Sequence, residues 1–140
     1  MYTSLRQHQF YFIYAVIATV IFGIYLHVSS IVFGRDLVLQ HLFTPLVDMF
    51  FAIPMTWGAI GLIAYRKAVN IANFFSKIVY LFTTVLFTLS VPLHAYTFFS
   101  QSTAYIKVFP WWYSYAEVPV FVIILIVFLS LKNRSDVKKS

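Results

Sequence analysis

Cysteine is absent from the 140 residues. That excludes disulfides, thiolate zinc sites, iron–sulfur clusters and thiol catalysis within the chain, and it says nothing about redox compartment. Charge is almost as scarce. Asp, Glu, Lys and Arg make up 10% of the sequence, with only four acids among them, where a soluble domain carries roughly a quarter charged residues. The four glycines form no phosphate-cradling loop, and no Ser-His-Asp or paired-carboxylate hydrolase arrangement is evident. The isolated chain is therefore not expected to be an enzyme.

What remains is apolar. Hydrophobic residues reach 61%, with 16 Phe and 10 Tyr, and the mean hydropathy is +0.85. Four runs are long enough for a hydrocarbon core of about 30 Å, which needs about 20 residues of helix. They fall at about 10–31, 44–65, 76–97 and 111–131. The expected fold is an all-α integral membrane protein, a single domain over 1–140 with four transmembrane helices in an up-down bundle. The first run exceeds the apolar stretch of an ordinary signal peptide and is rich in Phe and Tyr.

The boundaries carry their own signals. Gly34-Arg35-Asp36 reads as a turn, followed by the short Leu37–Gln40 segment. Thr44-Pro45 reads as a helix start, because Pro suits a first turn where its missing N–H is not needed. Pro92 is expected to interrupt the third span near its end. The stretch from Thr97 to Pro110 is expected to lie along the membrane surface, and Trp111-Trp112-Tyr113 reads as an interfacial aromatic belt.

Basic residues set the orientation. An up-down arrangement puts Arg6, Arg66, Lys67, Lys77, Lys132, Arg134, Lys138 and Lys139 on one side, eight of the ten Lys and Arg. Arg35 and Lys107 fall on the other. Positive loops stay inside, so both termini are expected to be cytoplasmic. The same placement assigns the +6 net charge to topology and anionic lipid, which argues against nucleic acid as a partner.

Against this background Asp48 stands out, an acid about two turns into the apolar stretch that opens at His41, bracketed by Pro45 and Pro54. An unpaired intramembrane charge costs at least about 2.5 kcal/mol, and such residues usually mark function. With the termini inside, His27, His41, Asp48, His94 and Glu117 all fall toward the outer leaflet, while His8 lies elsewhere. Helical spacing puts Thr19, Gly23, His27 and Ser30 on one face. It likewise groups His41, Asp48, Ala52, Met55 and Ala59, then Thr83, Ser90 and His94, then Tyr113, Glu117 and Ile124.

Imidazoles and carboxylates in that mixture suit copper, zinc or non-haem iron, and His27 with His94 are the pair that would hold a haem b. A proton relay or a small-molecule site would use the same groups. A purely structural role for each is the competing account: histidines near helix ends reach interfacial water, and Asp48 has Thr44 and His41 within reach. No local ligand motif such as HxxxH occurs. The four-span outline is shared with haem-anchoring respiratory subunits and small multidrug transporters, but the motifs that would tie the chain to either are missing. The leading expectation is an accessory subunit of a larger membrane complex, of an energy-converting or metal-dependent oxidising kind, with the lipid bilayer and other membrane subunits as partners. The rival is an independent binding protein or transporter using the His/Asp/Glu pocket.

Overall fold

A computed structural model describes residues 11–69 and 71–137, with side chains described through Lys132. Arg6, His8, Lys138 and Lys139, and the side chain of Arg134, lie outside the described residues. The chain there is all-helical: α1 (Tyr11–Phe33), α2 (Arg35–His41), α3 (Pro45–Ala64), α4 (Phe74–Ser100), a 3-10 turn (Ala104–Val108) and α5 (Tyr113–Val137). Four segments are long and apolar enough to cross a membrane: Tyr11–Phe33, Pro45–Ala64, Phe74–Ser100 and Tyr113–Lys132. With lipid as the surrounding solvent, helices that satisfy their own backbone are the stable solution, and large side chains such as Phe50, Trp57, Leu89 and Ile126 are exposed outward. The chain is a membrane protein.

The helix ends follow local chemistry. Thr44 caps α3, its hydroxyl accepting from the Val47 amide, with Pro45 in the first turn. Asn73 caps α4 by accepting from the Ser76 amide at 2.6 Å. Gln101 closes α4 in the left-handed conformation at φ 52°. Gly34, at φ 90°, lets the chain turn straight from α1 into α2, a conformation that a side chain would strain.

Two expectations change. The 35–41 segment, read as a turn and a short connection, is a two-turn helix whose Val38 packs with Leu26 and Phe43. Pro92 does not interrupt its helix, which runs on to Ser100. Freed backbone groups at Pro can be re-satisfied inside a membrane bundle, and eight further residues extend the helix beyond it.

α1 is the hub of the packing. It lies against α3 and α5, α4 lies against α3, and the α4–α5 contact is thin. Phe12, Val16 and Val20 from α1 meet Leu62 from α3, Phe87 from α4, and Ile124 and Phe128 from α5 in one core. Gly61 permits the closest approach: a Cβ there would sit 2.1 Å from Phe12 Cβ. Small residues at membrane helix contacts allow this proximity. Tyr80 ties α4 to α3, its hydroxyl donating to the Leu62 carbonyl at 2.9 Å.

Candidate functional site

Asp48 is fully buried on α3, and one of its oxygens pairs with His94 Nδ1 on α4. The other oxygen, Oδ2, is buried with no hydrogen-bond partner among the described residues. Thr44 caps the helix instead of bonding Asp48, so the structure selects His94 as the acid's partner. The imidazole is held from its sides as well. Its ring lies edge-on to Phe51 at 4.9 Å between centroids and to Phe43 at 6.3 Å. Engaging Nδ1 fixes the ring and leaves Nε2 as the nitrogen available to a ligand.

His94 faces a cavity of about 150 Å³ enclosed by the end of the bundle that carries α2 and the 3-10 turn. All four spans contribute to its walls: Thr19, Gly23, His27 and Ser30 from α1, Phe51 and Met55 from α3, Phe87, Ser90 and His94 from α4, and Tyr113, Ser114 and Glu117 from α5. The Thr19–Ser30 face read from the spacing does point inward. Arg35 from α2 and Tyr105, Ile106 and Phe109 from the connection close the cavity. Arg35 donates to the Phe109 carbonyl at 2.6 Å, strapping α2 to the connection before α5.

His27 and Glu117 line the cavity from α1 and α5. His27 Nδ1 lies 3.1 Å from Ser114 Oγ, between the rings of Tyr113 and Phe121. Glu117 lies one helical turn beyond Tyr113 on α5 and lines the same cavity. Tyr105, outside the spans, is buried enough to push its phenol above the usual value of 10.0. Its hydrogen bond with Thr97 opposes that shift, and the Asp48 carboxylate adds to it. Tyr105 therefore stays a neutral hydrogen-bonding group at ordinary pH.

The five sequence candidates do not form one ligand sphere. Asp48 and His94 pair, while His27, bonded to Ser114, and Glu117 line the same cavity without joining them. His41 is exposed at the end of α2, apart from the others. Among the described residues no three of His, Asp and Glu gather as a metal-holding group. A cavity of about 150 Å³ takes a benzene-sized molecule or a few waters, far less than a porphyrin needs. Sequence reasoning missed Tyr105, Ser114, Arg35 and the ring wall of Phe51. Of these only Arg35 carried a signal, as a cation between two apolar runs.

Several threonines satisfy themselves, Thr19 and Thr83 of the faces read from the spacing among them. Thr19, Thr56, Thr83, Thr84 and Thr88 each donate to the carbonyl four residues earlier on their own helix, at 2.7–2.8 Å. This back-bonding removes the demand for a partner across the bundle. Compared with protein-family models, curated proteins and solved structures, the chain matches none.

Proposed function

We propose that the chain is a small-molecule-binding membrane protein whose ligand occupies the cavity between the four spans, where polar side chains interrupt largely apolar walls, with transport of that ligand as the activity. The observation that carries this reading is Asp48, a buried carboxylate with one oxygen unpartnered, behind a histidine that faces the cavity between the spans. Intramembrane ionisable groups are costly, and they concentrate at substrate and proton pathways. Glu117 and Arg35 on the cavity wall give it both signs of charge. Tyr105, Tyr113, Ser90 and Ser114 add neutral donors and acceptors. A ligand with a compact hydrogen-bonding head fits that lining, and His94 with Glu117 supplies a route for coupled proton movement.

The topology that goes with this reading is an up-down bundle with both termini cytoplasmic. Arg66, Lys67 and Lys77 in the loop between α3 and α4 support it, since Lys and Arg near span ends favour the inside. The cavity then opens toward the outer leaflet.

A second reading keeps the chain as an accessory subunit of a larger membrane complex. Only 22–39% of each span is buried within the chain, and Phe74, Phe75, Phe99 and Trp111 project outward. Such faces serve protein partners as well as lipid. Purification in mild detergent with mass spectrometry and metal analysis of the same fraction separates the two. A monomer or homo-oligomer retaining a small molecule, lost in Glu117→Gln, is the expected result. Stoichiometric larger partners with an empty cavity would replace the binding reading with the subunit one.

A further inference from the structure

A second concavity lies outside the bundle, against the same histidine. It is an open groove of about 590 Å³ between α3 and α4, lined by Met49, Ala52, Trp57, Ala95 and Phe98 among others, with His94 at its wall. Ala52 and Ala95 make it deep where neighbouring side chains on these faces are large. The Thr56 hydroxyl on the groove is engaged by the Ala52 carbonyl at 2.7 Å. The lining is therefore apolar apart from one imidazole. His94 is 14% exposed and fully buried Asp48 stands behind it.

Resting on the cavity as a binding site, we infer that its ligand is a single-chain amphiphile that enters from the bilayer. The hydrocarbon chain lies in the α3–α4 groove, and the small uncharged polar head, such as a hydroxyl, sits in the cavity. Three observations converge on this. The groove is apolar and faces lipid, so hydrocarbon fills it without desolvating polar groups. The cavity has largely apolar walls but carries the polar groups the groove lacks, Ser90, Ser114, Glu117 and Tyr105 among them, and it is too small for more than a head group of a few heavy atoms. His94 is common to both linings, so chain and head meet at the one ring nitrogen that Asp48 leaves available. A second copy of the chain or a partner helix would fill the groove but would leave the cavity, with its buried Asp48, without an occupant.

The test uses the full chain in nanodiscs with hexadecanol carrying a mid-chain diazirine, followed by peptide mapping. Labelling should concentrate on segments 49–57 and 95–99 and should be competed by unlabelled hexadecanol. Ala95→Phe, which fills the groove without lining the cavity, should lower it at least tenfold; Ala52→Phe is the second groove variant in case the first misfolds. Glu117→Gln, which alters only the cavity, should weaken the competition severalfold. Labelling spread evenly over all lipid-facing surfaces, or a partner protein's helix found crosslinked in the groove, overturns the inference. If the co-purified small molecule is still lost in Glu117→Gln, the cavity reading survives that result. Saturable groove labelling indifferent to Glu117→Gln overturns both the head assignment and the cavity reading beneath it.

Discussion

Removing His94 while keeping its shape isolates what the buried acid requires. His94→Phe retains an aromatic ring against Phe51 and Phe43 but leaves Asp48 with neither oxygen hydrogen-bonded among the described residues. Two magnitudes compete. Polar pairs in membrane bundles are worth on average about 0.6 kcal/mol and at most about 1.7, because the unfolded chain in lipid finds other partners. Removing one member of a buried ion pair costs about 3–5 kcal/mol, because an uncompensated group stays buried. Asp48 is fully buried and its second oxygen is already unpartnered, so the larger figure applies. His94→Phe should destabilise by about 3–5 kcal/mol.

The complementary change, Asp48→Val, leaves only one imidazole nitrogen unpaired and should cost about 1–3 kcal/mol. Replacing both partners by apolar groups of similar shape can be nearly neutral. The double variant should therefore be more stable than His94→Phe alone. Equilibrium unfolding in mixed detergent micelles, run on all four proteins, measures the cycle. Additive costs, with the double variant the least stable, would refute the reasoning and show that the pair is held by packing alone.

Gly61→Ala places a methyl 2.1 Å from Phe12 Cβ, an atom fixed to the α1 backbone. Overpacking of this kind costs about 1–3 kcal/mol, more than the roughly 1 kcal/mol that Ala gains over Gly in a helix. Gly58→Ala meets Val16 and Phe87 side-chain tips at 3.1 Å and should cost clearly less; the reverse order in thermal unfolding would contradict the α1–α3 contact. Tyr105 supplies a pH dependence. Its folded-state value is raised, so its contribution to stability is whole below the usual 10.0 and declines as pH rises above it. Tyr105→Phe should flatten that alkaline limb in an unfolding series from pH 8 to 11, and an unchanged limb would place its cause elsewhere.

Composition and period were enough for the coarse architecture. Long apolar runs in a nearly uncharged chain have one stable form in lipid, and the four spans match those runs to within a few residues at most ends. Thr44-Pro45 was legible because capping is local chemistry between neighbours. The inward face of α1 was legible too, since Thr19, Gly23, His27 and Ser30 differ from the apolar residues around them. Asp48 announced itself by cost alone.

The partners of those residues were decided only in three dimensions. Which imidazole meets Asp48 depends on α3 and α4 being neighbours, and no spacing within either helix encodes that. Thr19 and Thr83 looked like interhelical contacts because periodicity cannot tell a hydroxyl aimed at a neighbour from one bonded to its own helix. Pro92 looked like a break because the local rule takes no account of the bundle around it. The cavity is the furthest from the sequence. It exists because α2 and the 3-10 turn fold back over the bundle end, bringing Arg35, Tyr105 and Phe109 against His94 and Glu117 from distant parts of the chain. The sequence supplied the costly groups, and the tertiary structure alone determined which of them share a space.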